Sequence, residues 1–266
     1  MTELSALPSE IISIARQAGE AIMQVYSGEI EISRKQDDSP LTHADMAAHH
    51  IIEAALKRLT PELPMLSEES ASIDFSIRST WRRYWLVDPL DGTREFIKRN
   101  GEFTVNIALI EDSRPVMGVV YAPAKELLYY ASEHQGAFKL GDDMQAPIAI
   151  KARTLNLDRL TVAGSRSHSD SKMQVFLRNL SEPELLSLGS SLKICLVAEG
   201  KADVYPRFGP TSEWDTAAAQ CVLEEAGGRL ANEQGVPLRY NTKDSLLNPE
   251  FFACGATPHD WSQYLE

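Results

Sequence analysis

The sequence has little cysteine, few long apolar runs and a deficit of positive charge. Its three cysteines, Cys195, Cys221 and Cys254, stand far apart in 266 residues. They are too few for a disulfide framework and lack the paired spacing of a zinc site. No stretch approaches the ~18 apolar residues of a membrane helix, and the first ten residues lack the pattern of a signal peptide. These absences predict a soluble cytoplasmic protein without an integral membrane segment.

The excess of acidic residues bears on which molecules the protein can bind. Lysine and arginine number 26 against 38 aspartates and glutamates, which gives a formal net charge of −12. A general nucleic-acid binder needs clustered positive charge, so no nucleic acid polymer is expected as a partner. Small anionic substrates are not excluded, because acidic groups that bind divalent cations can reverse the local field. A phosphate-binding loop is also missing, since Gly200-Lys201 lacks the upstream glycine and the following hydroxyl.

Apolar periodicity divides the chain into two parts. Residues 10–26 have the spacing of one helical face, and Thr42 is suited to cap a second helix that ends near Pro61. Residues 81–138 contain short β-rich runs that predict a strand meander, and strands and helices alternate after about residue 155. We therefore expect an α/β protein with two packed subdomains, 1–155 and 156–266, and an active site between them.

The strongest chemical signal is the segment Val87-Asp88-Pro89-Leu90-Asp91-Gly92-Thr93, where a predicted strand enters a turn. Such a turn can direct both carboxylates and the carbonyl of Leu90 toward one hard cation such as Mg²⁺. If Thr93 begins a helix, the N–H groups of Gly92 and Thr93 form a phosphate cradle beside the cation. In isolation, an Asp-Gly pair is more often a simple Asx turn.

Two further acidic segments lie at predicted element boundaries. Ser67-Glu68-Glu69-Ser70 follows a short apolar run, and Glu213-Trp214-Asp215-Thr216 precedes an alanine-rich helix. Taken singly, Glu68 is explained as a surface residue and Asp215 as an acid favoured by the helix dipole. Together with the first segment, they offer enough carboxylates for a metal site.

These segments resemble the magnesium-dependent, lithium-sensitive phosphatase superfamily of inositol monophosphatases and 3'(2'),5'-bisphosphate nucleotidases. The resemblance covers almost the whole chain and is greatest to the nucleotidase branch with its bacterial CysQ-type members. Inositol phosphate enzymes usually continue the Asp-Gly-Thr motif with one residue and Asn-Phe, whereas this chain has Arg94-Glu95-Phe96. The longest similar runs are residues 84–93, 95–106 and 196–200. The resemblance implies the inositol monophosphatase-like, or sugar-phosphatase, fold: a layered αβαβα sandwich with the metal site between two subdomains.

The resemblance also implies roles for individual residues. Its metal ligands fall on Glu68, Asp88, the carbonyl of Leu90, Asp91 and Asp215, which would hold two or three Mg²⁺ ions. Its catalytic pair falls on Asp45 and Thr93, which would orient an attacking water. From the residues alone, Asp45 in Thr42-x-x-Asp45 is better explained as a capping-box carboxylate. Metal-activated water attack would need no covalent phosphoenzyme.

By the same resemblance, the substrate is adenosine 3',5'-bisphosphate, hydrolysed to AMP and phosphate, with its 5'-phosphosulfate counterpart as an open second substrate. Residues 189–193 and 205–207 look like nucleotide-binding elements, although Lys193 and Arg207 would otherwise be explained as surface charges. His168 lies in a segment that contacts the nucleotide in the family, and a helix-capping position explains it equally well. The expected substrate contacts are Glu68, Leu90, Asp91, Gly92, Thr93, His168, Ser190, Lys193, Arg207 and Asp215.

Two rival functions stay open. An inositol monophosphatase or fructose bisphosphatase would share the fold, but Glu95 and the pair Lys193 and Arg207 favour a nucleotide. A non-catalytic nucleotide sensor would have lost a ligand or Thr93, and the sequence retains them all. The resemblance implies a role in sulfur metabolism, in the cytoplasm or peripherally on the cytoplasmic face of the inner membrane. It leaves monomer and homodimer open.

Overall fold

A computed structural model of the protein describes residues 7–28, 32–34, 40–70, 72–164, 171–180 and 182–266. Within these ranges the helices are α1 (Leu7–Tyr26), α2 (His43–Leu59), α3 (Phe75–Arg78), α4 (Thr93–Ile97), α5 (Ser171–Asn179), α6 (Leu192–Ala198) and α7 (Glu213–Glu225). In this part of the chain, no helix is both long and apolar enough to cross a bilayer.

The first large sheet of the described chain has seven strands in sequence order. They are β3 (Met65–Ser67), β4 (Arg83–Asp91), β5 (Thr104–Glu111), β6 (Arg114–Ala122), β7 (Leu127–Ser132), β8 (Gly136–Leu140) and β9 (Ile148–Ile150), after the separate antiparallel pair β1 (Ile32–Arg34) and β2 (Pro40–Thr42). Strands β3 and β4 are parallel, and the other neighbouring strands are antiparallel. The predicted meander is therefore confirmed.

The second large sheet has five described strands in the order β11-β10-β12-β14-β13. They are β10 (Thr161–Gly164), β11 (Glu184–Ser187), β12 (Val204–Arg207), β13 (Arg229–Asn232) and β14 (Phe251–Cys254). The pairs β10–β11 and β10–β12 are parallel, whereas β14 is antiparallel to both of its neighbours. Parallel neighbours need crossover connections, which is why helices interrupt this half of the sequence.

The two faces of the seven-stranded sheet bury different helices. Trp85 and Val87 of β4 belong to a core with α1 and α2, whose buried residues recur every three or four positions. The alternate residues Tyr84 and Leu86 belong to a second core with α6 and α7. Successive strand residues point to opposite faces, so an almost continuous apolar strand supplies both cores.

Helices α6 and α7 lie between the two sheets. Their small residues permit close packing: a Cβ on Gly118 of β6 would lie 2.2 Å from the carbonyl oxygen of Ala218. The far face of the five-stranded sheet packs against α5 through Phe176. The layers are therefore α1/α2, seven-stranded sheet, α6/α7, five-stranded sheet and α5, which confirms the predicted αβαβα sandwich.

Local predictions for the first two helices are close to the structure. Helix α1 (Leu7–Tyr26) contains the whole predicted helical face of residues 10–26 and ends at Tyr26 as expected. Thr42 caps α2, and this helix ends at Leu59 before Pro61. These boundaries depend on residues within one turn of helix, which is why the sequence predicts them well.

Candidate metal centre and active site

The acidic centre is built at the end of β4. Asp88 is opposite Asn106 of β5 and Asp91 is opposite Thr104, so three steps along β4 match two along β5. This β-bulge adds one residue to β4 and redirects its side chains. The predicted turn after Val87 is therefore wrong in detail: the strand continues to Asp91, and the bulge supplies the bend.

Three carboxylates meet at this point. One oxygen from each of Asp88, Asp91 and Asp215 lies within 4.8 Å of the other two. Burial raises the pKa of all three carboxyl groups, and the charge of Asp91 raises the pKa of Asp215 further. Such a cluster of anions is unfavourable without a cation, whereas oxygen ligands of this kind suit Mg²⁺ or a similar hard ion. The arrangement fits the expected metal site.

Glu68 joins the cluster through the parallel pairing of β3 and β4. Ser67 ends β3 opposite Val87, which places Glu68 next to Asp88. After burial, the largest cause of the raised pKa of Asp88 is the charge of Glu68, and the two side chains are also hydrogen-bonded. All four expected carboxylate ligands, from three separate segments, are thus brought together.

Asp45 and Thr93 are in contact beside this cluster. The Thr93 hydroxyl donates to one oxygen of Asp45 at 3.3 Å and lies 3.4 Å from the carbonyl oxygen of Leu90. The other oxygen of Asp45 accepts from the N–H and hydroxyl of Thr42, at 2.8 and 2.6 Å. Asp45 therefore forms the capping box that the residues alone favoured, and it also reaches the residue that the family resemblance pairs with it.

Gly92 makes the turn between the bulge and α4. Its φ of +93° lies in the left-handed region, and a Cβ there would be 3.1 Å from the carbonyl oxygen of Glu102. Glycine is therefore required both by the backbone conformation and by the close approach. Helix α4 begins at Thr93, which meets the condition set for a phosphate cradle, because the first N–H groups of a helix have no acceptor within that helix.

A cavity of about 160 Å³ connects the acidic and basic residues. Buried Lys193 donates to the carbonyl oxygen of Ser190 at 2.7 Å, and Arg207 is held by the carbonyl oxygens of Gly209 and Pro210. Burial lowers the pKa of Lys193 to about 8, although Asp91 opposes the shift. The cavity is lined by Asp91, Gly92, Arg94, Glu95, Lys98, Gly189, Ser190, Ser191, Lys193, Ile194, Tyr205, Arg207, Thr211, Asp215, Thr216 and Phe251.

The structure therefore brings Ser190, Lys193 and Arg207 to the same cavity as Asp91 and Asp215. Neither basic residue is an ordinary surface charge, since Lys193 is buried and Arg207 is half-buried. The remaining candidate, His168, lies outside the described residues.

Three polar residues that hold Asp91 had no predicted role of their own, although Ser191 lies in the predicted nucleotide-binding segment 189–193. The N–H of Ser191 donates to Asp91 at 2.6 Å, the Asn106 amide donates to it at 3.4 Å, and the Ser191 hydroxyl donates to Asn106 at 2.9 Å. Thr104 lies 3.0 Å from the same hydroxyl. Thr104 and Asn106 are polar residues two positions apart in an apolar buried strand, so their side chains share one face of the sheet. This spacing could have indicated from the sequence that they support the acidic site.

The model of the inositol monophosphatase family matches residues 4–259. Because the match covers nearly the whole sequence, the chain belongs to the inositol monophosphatase family. An inositol monophosphatase of Thermotoga maritima shares the fold with a TM-score of 0.79 at 23% identity, covering 96% of this chain and 94% of that chain.

Within the family, the chain is similar to proteins named 3'(2'),5'-bisphosphate nucleotidase CysQ. The Salmonella typhimurium protein is 52% identical over 244 residues, which is 91% of this chain and 97% of that protein. The Escherichia coli K12 protein is 50% identical with the same coverage. The crystal structure of CysQ from Bacteroides thetaiotaomicron has a TM-score of 0.83 and 41% identity, covering 97% of this chain and 100% of that chain.

Proposed function

We propose that this chain is a Mg²⁺-dependent phosphatase that removes the 3'-phosphate of adenosine 3',5'-bisphosphate, giving AMP and phosphate. The observation that carries the proposal is the single cavity that joins the carboxylates Asp91 and Asp215 to Lys193 and Arg207. A substrate with two phosphates suits a site with a metal ion at one end and two positively charged side chains at the other. The names of relatives at 50 and 52% identity support the same substrate class.

The side chains that would hold Mg²⁺ are Glu68, Asp88, Asp91 and Asp215, with the carbonyl of Leu90. When bound, such an ion supplies Lewis acidity and lowers the pKa of a coordinated water. All these ligands are oxygens, which suit Mg²⁺. Burial raises the pKa of Asp88, Asp91 and Asp215, so a bound cation would stabilise their ionised forms. We propose two or three ions per site.

Thr93 and Asp45 would position the attacking water. The carboxylate of Asp45 holds the proton of the Thr93 hydroxyl, which leaves the oxygen lone pairs of Thr93 to accept a hydrogen from water. Because Asp45 is itself held by Thr42, the carboxylate that accepts the Thr93 proton has a defined position. The water would thus face the scissile phosphate with its own lone pair.

The second phosphate would bind at Lys193 and Arg207. The ammonium group provides a compact charge, and the guanidinium group provides a planar fork of donors. Ser190 lies at the same wall of the cavity and can donate its hydroxyl. A 5'-phosphosulfate has a similar anionic end, so we propose the 5'-phosphosulfate analogue as a second substrate of the same site.

The test is phosphate release from purified protein with Mg²⁺ and with EDTA. We expect adenosine 3',5'-bisphosphate to be hydrolysed faster than inositol 1-phosphate or fructose 1,6-bisphosphate, and EDTA to abolish the reaction. Asp91→Asn should be inactive because it weakens metal binding, whereas the exposed control Asp112→Asn should keep full activity. Faster hydrolysis of inositol 1-phosphate or fructose 1,6-bisphosphate would assign the protein to another activity of the same fold. No hydrolysis of any of the three compounds would favour a non-catalytic nucleotide sensor.

Three further proposals accompany this function. The subdomain boundary near residue 155 would lie between Ile150, the end of β9, and Thr161, the start of β10. The protein would act in the cytoplasm on a small-molecule substrate, as a monomer or a homodimer. Limited proteolysis around residues 151–160, cell fractionation and sedimentation test these points.

A further inference from the structure

A second group of potential metal ligands lies on α2, outside the acidic centre. His49, His50 and Glu53 each offer one ligand atom, and these atoms lie within 4.8 Å of one another. His49 is buried, whereas His50 and Glu53 are exposed to solvent. The group uses two imidazoles and one carboxylate, so it differs chemically from the all-oxygen cluster of Asp88, Asp91 and Asp215.

The imidazole of His49 is already oriented. Its Nδ1 lies 3.0 Å from the hydroxyl oxygen of buried Ser67, and its Nε2 lies 3.9 Å from a carboxylate oxygen of Glu53. When Nδ1–H donates to Ser67, the lone pair of Nε2 is directed toward Glu53. Metal-bound histidines typically have one nitrogen held by a hydrogen bond in this way, which fixes the tautomer and the ring.

The neighbouring ring completes the arrangement. The centroids of the His49 and His50 rings are 5.4 Å apart and the ring planes are inclined at 64°, so a nitrogen of His50 can approach from the solvent side. Burial lowers the pKa of His49, which favours the neutral form that binds metals. Exposed Glu53 can close the remaining distance by a change of rotamer, since its side chain is 54% exposed.

We propose that His49, His50 and Glu53 form a surface site for a borderline transition-metal ion of the Zn²⁺ class. Imidazole ligands favour Zn²⁺, Cu²⁺ and Ni²⁺ over Mg²⁺ and Ca²⁺. Three protein ligands leave a fourth tetrahedral position for water, because the site opens to solvent on the side of His50 and Glu53. The fixed ligand is one hydrogen bond from Ser67, whose next residue is Glu68 of the acidic centre.

The test is calorimetric titration of the full chain with Zn²⁺ in excess Mg²⁺, which keeps the acidic centre occupied. We expect the wild type to bind one Zn²⁺ per chain. His50→Ala and Glu53→Gln should each bind Zn²⁺ at least about tenfold more weakly, since even loss of a supporting group lowers metal affinity by this factor. The matched control is His134→Ala, because exposed His134 also lies near a glutamate, 4.0 Å from Glu133, but belongs to no three-ligand group of the described residues.

A spectroscopic measurement makes the proposal independent of these variants. Cu²⁺ bound to the wild-type protein in excess Mg²⁺ should show electron paramagnetic resonance couplings to imidazole nitrogen, with one nitrogen fewer in His50→Ala. Oxygen-only coordination in the wild type, no uptake of Zn²⁺, or equal Zn²⁺ affinity in all four proteins would each overturn the site. Circular dichroism checks that the variants are folded.

Discussion

Helices α2 and α7 begin in the same way on opposite faces of the seven-stranded sheet. Each has a capping box in which the third helical residue is an aspartate, with Thr42 and Asp45 at α2 and Ser212 and Asp215 at α7. The aspartate accepts from the N–H of its cap residue, at 2.8 Å in α2 and 2.9 Å in α7. At the level of the backbone, the two helix starts are equivalent.

Their surroundings differ. Asp45 is completely buried, and its second oxygen accepts from Thr93. Asp215 is half-buried, lines the cavity and lies close to Asp88 and Asp91, so its pKa is raised by burial and by the charge of Asp91. The same four-residue motif therefore supplies a carboxylate that contacts Thr93 at one helix and a candidate metal ligand at the other. The motif sets the helix start, and the neighbours set the chemistry.

The largest expected effect separates the two aspartates by metal binding. Asp215→Asn should lower kcat by about a thousandfold or more, because a metal ion stabilises the transition state by several kcal/mol. The concentration of Mg²⁺ needed for half-maximal activity should also rise. Ser212→Ala is the control, since loss of the cap costs only about 1 kcal/mol of stability and leaves the carboxylate in place. An unchanged Mg²⁺ requirement in Asp215→Asn would contradict its role as a ligand.

The second effect concerns the attacking water. Asp45→Asn should lower kcat by about a hundredfold or more, in the range of positioned acid–base groups, because an amide no longer holds the Thr93 proton in the same way. The Mg²⁺ requirement should change little. Kinetics as a function of Mg²⁺ and substrate measure both quantities, and Asp74→Asn provides a control at an exposed helix cap. If Asp45→Asn and Asp215→Asn give the same profile, the two helix starts do not differ as proposed.

A third effect concerns the cavity that Asp215 shares with Lys193. The pKa of Lys193 is lowered to about 8, so its positive charge is lost as the pH rises through that value. The KM of the wild type should therefore increase between pH 7 and 9. Lys193→Met should raise KM by about tenfold or more, as expected for loss of a charged hydrogen bond, and remove this pH dependence. Lys98→Met, at an exposed position in the same cavity, is the control; a pH-dependent KM in Lys193→Met would refute the assignment.

The smallest effect is on the stability of the metal-free protein. The raised pKa of Asp215 means that, above the ordinary carboxyl pKa of about 4, the folded state holds a proton that the unfolded chain has lost. The free energy of unfolding in EDTA should therefore fall as the pH rises from about 4, until the raised pKa is passed. Asp215→Asn should be more stable than the wild type in this range, by a difference that grows by roughly 1.4 kcal/mol for each pH unit until the raised pKa is passed. Urea unfolding at several pH values measures this.

Asp45→Asn sharpens the contrast in the same experiment. Its carboxylate accepts hydrogen bonds from Thr42 and Thr93, so the substitution should destabilise the metal-free protein, by about 1 kcal/mol for the cap. A stabilised Asp45→Asn, or a destabilised Asp215→Asn, would reverse the comparison.

The sequence by itself determined the local features of the site. The cap at Thr42 and the helix that begins at Thr93 each depend on residues within a few positions, and the structure contains both. The family resemblance also named the carboxylates that the structure brings together. Sequence reasoning failed where partners are distant along the chain, as with the β-bulge after Asp88 and the support of Asp91 by Ser191.

Only the tertiary structure decided how the local features combine. Asp215 meets Asp91 because α7 lies between the two sheets, and the pKa of Lys193 is lowered because α6 buries it there. Both properties depend on desolvation and on charges from other segments, which no local pattern contains. The sequence determined which groups can do the chemistry, and the packing of α6 and α7 determined that they face one cavity, because burial and electrostatic coupling arise only when distant segments meet.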